Sequence, residues 1–324
     1  MISFDTQNGY QIKIPTSFHG YNFIKLLGRG GTCIVILVED QKTQEKFSAK
    51  IISKEDVSRR NAYDSVIREI NVHKSISHPN IIQFHESFEI QNDDEEEFIV
   101  IVMEYCEKGD LLTYVTEYGF KSEVFKKKII LDFLKAVQYL HSQEISHGDI
   151  KADNILLDSH LNPKLCDFGY CRTHTRASDE YKRGTLYYSA PELLKKGYFN
   201  TLKADIYAIG ITLYTLSELA FPFDKGSDDY VIDQITNGNL SFKYNMDLKL
   251  RKLIKKCTDI NPLNRPTIDE IINDEYFTNE KKTENPKSAN AKVKSSFQAY
   301  NGEKIKRKWN HSSHYVFDSD DDEF

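Results

Sequence analysis

Hydrophobic positions in the first third of the chain recur in patterns typical of β-strands. Two apolar runs flank a glycine cluster between Phe23 and Asp40, and Lys46–Ser53 predicts a further strand. A helix is indicated next, because apolar residues recur at helical spacing from Ala62 to Ile70. The run from Phe98 to Met103 then predicts a buried strand. This part of the chain is therefore expected to be rich in strands, with one helix inserted among them.

Later segments have helical patterns. From about Ser122 to His141, apolar residues recur with the spacing of an amphipathic helix. The segment from Asp205 to Leu219 is apolar nearly all round, which indicates a buried central helix. Between these two, Ile155–Asp158 and Lys164–Phe168 are short apolar runs separated by turn-forming residues, so they predict a β-hairpin. The second part of the chain is therefore expected to be mainly helical.

The two ends of the chain have weaker patterns. Residues before about Tyr21 carry no strong pattern and are expected to form an extension that packs or frays. After Phe277 the chain is polar and poor in aliphatic residues, so we expect disorder. Acidic residues after Ser319 make that serine a candidate phosphoacceptor for an acidophilic kinase, and Lys304–Trp309 is a weaker candidate for nuclear import or calmodulin binding. The simpler interpretation of both segments is a solvated tail.

Composition narrows the class of protein. A chain of 324 residues with 40% hydrophobic residues can form two lobes or domains plus a tail. The net charge of -6 is unevenly spread, with acidic clusters at Asp93–Glu97 and Asp318–Glu323 and a basic one at Lys304–Lys308, so no nucleic-acid surface is expected across the fold. The five scattered cysteines favour neither a disulfide framework nor a zinc site. No apolar segment is long enough to span a bilayer, and Met1–Gly20 lacks the features of a signal peptide. We therefore expect an intracellular protein, in the cytoplasm or the nucleus.

The densest candidate chemistry lies between His147 and Gly169. The predicted hairpin would bring Asp149, Asn154 and Asp167 together. Two carboxylates and an amide oxygen suit a hard divalent cation such as magnesium, which keeps waters that a phosphate can displace. Any one of these acidic residues alone is more simply interpreted as a solvated loop residue. The joined spacing is what carries the functional interpretation.

That spacing resembles the catalytic loop and the magnesium loop of eukaryotic protein kinases of the serine/threonine type. The similarity is greatest to the calcium/calmodulin-dependent protein kinase group and extends from Tyr21 to about Phe277. It implies a bilobal α+β fold in which a β-rich N-lobe of about 21–105 precedes a mainly helical C-lobe of about 106–277, with an extension over 1–20 and a tail over 278–324. ATP, Mg²⁺ and protein substrates with Ser or Thr acceptors are implied with it, and a regulatory protein could bind the tail.

The resemblance also assigns roles to residues. Catalytic roles fall on Asp149, Lys151, Asn154 and Thr185, and magnesium ligation falls on Asn154 and Asp167. Nucleotide contacts fall on Gly28, Gly30, Val35, Lys50, Glu69, Met103, Glu104, Cys106, Asp110 and Leu156. Lys50 is expected to pair with Glu69, and Arg265 is expected to form a structural ion pair with Glu192. Each position also has a simpler interpretation: a strand lysine in solvent, a methionine that fills the core, or glycines in an ordinary hairpin turn.

Five positions depart from the pattern or refine it. Cys33 stands where a third glycine is expected, which puts closure of the glycine-rich loop in doubt and suggests a reactive thiol near the phosphates. The segment after Gly169, up to Gly184–Glu192, resembles a kinase activation segment. Gly148 stands where many kinases have an arginine that binds a phosphate on this segment, and Tyr181 occupies the usual phosphoacceptor position, so both halves of a familiar activation switch are expected to be missing. Thr173, Thr175 and Ser178 remain candidate modification sites. Asp110 and Asp153 suggest a preference for basic residues upstream of the target.

The alternative from another class is a pseudokinase or a nucleotide-binding scaffold.

Overall fold

The computed structural model describes residues 1–173, 176–177, 185–195, 197–224 and 226–278. The small lobe is built on an antiparallel six-stranded sheet with the order β3-β4-β5-β6-β8-β7. Its strands are β3 (Ser17–Phe18), β4 (Tyr21–Arg29), β5 (Cys33–Asp40), β6 (Lys46–Ser53), β7 (Phe84–Gln91) and β8 (Glu97–Glu104). Two helices, α1 (Lys54–Arg59) and α2 (Tyr63–Ser75), lie between β6 and β7.

The sheet is held by apolar side chains that alternate toward a common core. Ile34, Ile36 and Val38 of β5 are all fully buried, as are Ala49 and Ile51 of the neighbouring strand β6. A second cluster joins the other face of the sheet to α2 through residues such as Ile52, Val66 and Ile70. Because β-branched residues favour extended backbone and pack well on a pleated surface, this sequence forms strands here.

Residues 1–20 form more structure than their sequence pattern indicated. Strands β1 (Ile2–Asp5) and β2 (Gln11–Ile14) pair as an antiparallel hairpin. Ile12 and Ile14 are 1% and 0% exposed and belong to the sheet core. The extension therefore packs, and the Ile-x-Ile alternation after Asn8-Gly9 was the available signal for it.

The large lobe is mainly helical. Its helices are α3 (Leu111–Tyr118), α4 (Glu123–Ser142), α5 (Thr201–Glu218), α6 (Asp228–Asn237), α7 (Leu248–Cys257), α8 (Ile268–Ile272) and α9 (Glu275–Thr278). Short strands complete it: β9 (Ile155–Leu157) pairs with β10 (Pro163–Leu165), and β11 (Arg176–Ala177) pairs with β12 (Phe199–Asn200). The two-lobed α+β fold implied by the resemblance is thereby confirmed.

Two long helices form the centre of this lobe and carry the site. Helix α4 begins after Ser122, whose hydroxyl accepts a hydrogen bond from the backbone N–H of Phe125 at 3.1 Å. Helix α5 is buried nearly all round, as its composition predicted. Among the helices of the described residues, none combines the length and apolar character needed to cross a bilayer.

An ion pair fastens the far side of the large lobe. The guanidinium of Arg265 has no exposed side-chain surface and donates to both carboxylate oxygens of Glu192, at 2.6 and 2.7 Å. Further hydrogen bonds reach the carbonyl oxygens of Asp259 and Lys203, each at 2.8 Å. The expected ion pair is therefore present, and it ties the segment before α5 to the segment before α8.

Candidate active site

A lysine and two carboxylates meet where the lobes face each other. Lys50 extends from β6, and its Nζ lies 2.6 Å from Oε1 of Glu69 on α2 and 3.3 Å from Oδ1 of Asp167. Burial by itself lowers the pKa of Lys50, but the carboxylates of Asp167 and Glu69 outweigh it and raise that pKa well above its usual value. The charge of Lys50 in turn holds the pKa of Asp167 below its usual range. The site therefore keeps a permanent cation and a permanent carboxylate at neutral pH.

The segment after Asp167 is packed tightly against this pair. Asp167 itself has a left-handed backbone with φ of +66°. A Cβ on Gly169 would lie 3.3 Å from Oε2 of Glu69, so a glycine is what lets the loop approach α2 this closely. Phe168 is 1% exposed and its ring contacts those of His73 on α2 and His147, at centroid distances of 4.9 and 5.3 Å. This stack links the position of α2 to the Asp167 loop.

The carboxylate of Asp149 is held from three sides. Oδ1 accepts hydrogen bonds from the hydroxyl and the backbone N–H of Thr185, both at 3.2 Å. Oδ2 lies 2.8 Å from Nζ of Lys151 and accepts from the Asn154 amide at 3.0 Å. Lys151 also donates to the Thr185 hydroxyl at 2.8 Å. The structure therefore brings together the four residues to which the resemblance assigns catalytic roles.

A buried carboxylate in α5 supports the backbone of this loop. Asp205 is 2% exposed and accepts hydrogen bonds from the backbone N–H groups of His147 and Gly148, at 2.8 and 2.9 Å. Its Oδ2 also lies 3.0 Å from Nε2 of His141 at the end of α4. Sequence reasoning used Asp205 only to mark the start of a helix. The missed signal was a carboxylate at the start of the apolar run Ile206–Leu216, since a buried charge requires partners.

The predicted nucleotide residues line one cleft between the lobes. Met103 touches the cores of both lobes, so it fills core space and borders the cleft at once. The carboxylate of Glu104 is engaged by Lys164 at 2.7 Å and by the N–H of Gln83 at 3.1 Å. The side chain of Glu104 is therefore already engaged, and its backbone N–H also donates to the carbonyl of Gln83 at 2.9 Å. Val35, Cys106 and Leu156 complete the apolar walls.

The glycine-rich loop is the turn between β4 and β5. Gly28 pairs with Val35 across the two strands, and the N–H of Gly30 donates to the carbonyl of Cys33 at 2.8 Å. A Cβ on Gly30 would lie only 2.6 Å from Sγ of Cys33. Burial raises the pKa of the Cys33 thiol to about 11, so the thiol is protonated at neutral pH. Burial therefore opposes formation of the thiolate, and the reactive thiol stays a prediction.

Asn154 and Asp167 are suited to a hard cation. The Asn154 amide nitrogen donates to the backbone oxygen of Asp149 at 2.8 Å, which turns its amide oxygen away from that residue. The backbone of Asn154 accepts from Cys166 N–H at 2.9 Å, which places Asn154 beside Asp167. One amide oxygen and one ionised carboxylate fit Mg²⁺ sharing phosphate oxygens and waters. No group of three or more His, Cys, Asp or Glu in the described residues forms a separate metal centre.

The two acidic residues expected to recognise basic substrates lie near the cleft mouth. Asp110 caps α3, since its carboxylate accepts from the N–H of Thr113 at 2.7 Å. Asp153 is exposed in the catalytic loop, and both carboxylates line the cleft. Asp110 therefore has a structural role in addition to any role in recognition.

Gly148 occupies a backbone position that is unfavourable for a side chain. Its φ is +80°, and a Cβ built on it would lie 2.5 Å from the carbonyl oxygen of Tyr170. Of the segments considered for regulation, Thr173 is described and exposed. Thr175, Ser178, Tyr181, Ser319 and Lys304–Trp309 lie outside the described residues.

Comparisons with known proteins agree with this geometry. The protein kinase domain model matches residues 21–277. The chain is 30% identical over 82% of its length to CBL-interacting protein kinase 33 of Oryza sativa subsp. japonica, and 31% identical over 79% to the carbon catabolite-derepressing protein kinase of Candida glabrata. It is also 31% identical over 83% to sucrose non-fermenting protein kinase 1 of Fusarium virguliforme. These matches cover 58%, 41% and 38% of the relatives, so the chain spans about half their length. The chain belongs to the protein kinase domain family.

Proposed function

We propose that this protein is an ATP-dependent serine/threonine protein kinase. The observation that carries the proposal is the environment of Asp149, whose two oxygens are held by Thr185, Lys151 and Asn154 at 2.8–3.2 Å. A carboxylate fixed in this way can orient a hydroxyl nucleophile and accept its proton. Lys50, Asp149 and Asp167, whose loss is the usual mark of a pseudokinase, are all present.

In this mechanism the protein supplies position and charge. The substrate hydroxyl oxygen bonds to the γ-phosphorus of ATP as the bond from that phosphorus to the β–γ bridging oxygen breaks, and ADP leaves with the electron pair. Asp149 accepts the hydroxyl proton, and Lys151 neutralises charge on the transferring group. Lys50, held by Glu69, binds the α and β phosphates. Asn154 and Asp167 would hold Mg²⁺, which would neutralise phosphate charge.

The test is phosphate transfer from ATP and Mg²⁺ to a generic basic substrate. Wild-type protein is compared with Asp149→Asn and Asp167→Ala, and circular dichroism checks that both variants are folded. We expect transfer by the wild type and a loss of at least 100-fold in each variant, since each removes a group that acts on the reacting atoms. Equal signal in all three proteins would refute the proposal.

Asp110 and Asp153 support a preference for basic residues upstream of the target serine or threonine. Both carboxylates line the cleft, and Asp153 is exposed beside the catalytic loop. A guanidinium placed there gains charge-assisted hydrogen bonds. A peptide array in which Arg and Lys are not enriched upstream of the acceptor would remove this part of the proposal.

We also propose that the activity does not depend on a phosphate on the activation segment, and the residue at position 148 supports this. The position lacks the arginine that binds such a phosphate in many kinases, and the carbonyl of Tyr170 fills the space where a Cβ would start. Activity that survives complete phosphatase treatment is the expected result. Loss of activity on that treatment, traced to Thr173, Thr175 or Ser178, would contradict it.

We further propose an intracellular location, in the cytoplasm or nucleus, and a regulatory protein that binds residues 278–324. The five cysteines are all free thiols, which fits a reducing compartment. The name of one relative states that it interacts with CBL. Pull-down with and without residues 278–324 tests the second proposal, and equal capture by both forms would contradict it.

A further inference from the structure

The hairpin formed by β1 and β2, here called the N-terminal hairpin, lies outside the residues that the family model matches. Its base is fixed, because Ile12 and Ile14 are buried in the small-lobe core. The ring of Phe4 also packs on that of Phe23 in β4, at 5.7 Å between centroids. The hairpin is therefore a firmly attached part of the small lobe.

The turn of the hairpin is stabilised by its own hydrogen bonds. The N–H of Thr6 donates to the carbonyl of Tyr10 at 2.7 Å, and the N–H of Tyr10 donates back to the Thr6 hydroxyl at 3.1 Å. Gly9 adopts a φ of +79°, which closes the turn. Such a turn loses little further freedom when it contacts another segment.

This turn rests on the glycine-rich loop. The N–H of Gln7 donates to the carbonyl of Gly30 at 2.9 Å. The guanidinium of Arg29 donates to the carbonyl of Asp5. The Asn8 amide lies so near Gly31 that a Cβ there would be 3.1 Å from Nδ2. Contacts thus reach three consecutive residues of the loop from one side.

The loop has a particular need for such support. Glycines give a phosphate-binding loop freedom that is lost on binding, and Cys33 replaces the expected third glycine. The hydrogen bond from Gln7 also fixes the peptide group of Gly30, and Gly30 and Gly31 line the cleft in which a nucleotide would bind. Gln7 and Asn8 themselves line the same cleft.

We infer that the N-terminal hairpin is a positioning element that holds the glycine-rich loop in its nucleotide-binding arrangement before nucleotide arrives. Gln7 acts through its backbone and Arg29 through its side chain, and neither is a catalytic residue. The inference rests on the proposed function, because the loop must bind the phosphates of ATP. Its consequence is pre-organisation: the hairpin raises nucleotide affinity without taking part in the transfer step.

Two variants and one control test it in the full chain. Gln7→Pro removes the N–H donor to Gly30, and Arg29→Met removes the donor to Asp5 while keeping an unbranched side chain. Lys13→Ala is the matched control, since Lys13 lies in the same hairpin but pairs with Asp94 at 2.9 Å, away from the loop. If Gln7→Pro is unfolded by circular dichroism, Arg29→Met carries the test.

The first measurement is hydrogen exchange of peptides covering 28–33 in the protein without nucleotide. Exchange is expected to be faster in Gln7→Pro and Arg29→Met and unchanged in Lys13→Ala. The second is calorimetric binding of ATP with Mg²⁺, where the two variants are expected to bind roughly 3–10-fold more weakly, as a loss of about one hydrogen bond predicts. If the chain also transfers phosphate, KM for ATP should rise while kcat stays within about twofold.

Wild-type exchange rates or wild-type ATP affinity in both variants would overturn the inference. The inference would also be overturned if Lys13→Ala had the same effect as the two variants, because the effect would then reflect general loosening of the hairpin. A protein that binds ATP but transfers no phosphate would refute the proposed function and leave the exchange and affinity measurements valid. The two failures are therefore distinguishable.

Discussion

Replacing Gly148 by alanine tests how closely the catalytic loop and the segment after Asp167 are fitted together. A left-handed backbone destabilises a residue with a Cβ by about 1–2 kcal/mol. The Cβ would also meet the carbonyl oxygen of Tyr170 at 2.5 Å, and forced contacts in well-packed regions cost roughly 1–3 kcal/mol more. The free energy of unfolding is therefore expected to fall by about 2–5 kcal/mol in total.

Gly20→Ala is the matched control. Gly20 has a φ of +85°, close to that of Gly148, but nothing lies within 4 Å of its built Cβ. Both substitutions restrict the unfolded chain equally, so that contribution cancels when the two are compared. The difference between them should isolate the Tyr170 contact, at roughly 1–3 kcal/mol.

Urea unfolding followed by far-UV circular dichroism measures both variants. The transfer assay should also show at least a tenfold fall in kcat for Gly148→Ala, because Asp149 is the next residue and small displacements of a reacting group are expensive. Equal stability losses in Gly148→Ala and Gly20→Ala, with kcat unchanged, would show that the Tyr170 carbonyl moves aside freely. The packing around Gly148 would then no longer support the proposal of control without an activation-segment phosphate.

Three further outcomes are expected. Glu192→Gln leaves the guanidinium of Arg265 buried without a counter-charge, so the free energy of unfolding should fall by about 3–5 kcal/mol. The control Glu55→Gln removes a charge from an exposed ion pair and should lower it by less than about 1 kcal/mol, and equal urea midpoints for the two variants would contradict this. Burial lowers the pKa of His73, so the neutral side chain stabilises the fold fully above the unfolded pKa of about 6.5, and this stabilisation is lost as the pH falls below that value. Between pH 7.5 and 5.5 the melting temperature of His73→Leu should therefore fall less than that of the wild type. Parallel curves of melting temperature against pH for the two proteins would disprove this. Alkylation of Cys33 at pH 7 should be slow both with and without ATP and accelerate toward pH 11, whereas fast labelling blocked by ATP would restore the reactive thiol.

The sequence allowed the main elements and the site members to be predicted, for identifiable reasons. Helix α4 and the β9–β10 hairpin follow from local periodicity, which needs no knowledge of distant contacts. The pairing of Lys50 with Glu69 was inferred only from the resemblance, since nothing local shows that a strand lysine faces a helix 19 residues later. The distance between the two side chains and their burial are known only from the structure.

Other features could not be predicted because their partners are far away in the chain. Asp205 accepts hydrogen bonds from the backbone N–H groups of His147 and Gly148, which precede it by 58 and 57 positions. Periodicity within its own helix cannot indicate such partners. His73 on α2 contacts the ring of Phe168 in the large lobe, and periodicity within α2 cannot indicate a partner so far along the chain. The N-terminal hairpin was not predicted, because each strand has only four residues and its one signal, the alternation of Ile12 and Ile14, is short.

Asp205 anchors the catalytic loop to the large lobe. The residues of the proposed mechanism therefore fall into two groups, one in each lobe. Asp149 follows the two residues that are hydrogen-bonded to α5 and thus belongs to the large lobe, whereas Lys50 and Glu69 belong to the small lobe. Their meeting point is the 3.3 Å contact between Lys50 and Asp167. Under the proposed function, a small molecule that wedges the two lobes apart would therefore separate phosphate binding from proton acceptance while leaving each lobe intact. Compounds of that kind should block phosphate transfer without unfolding either lobe.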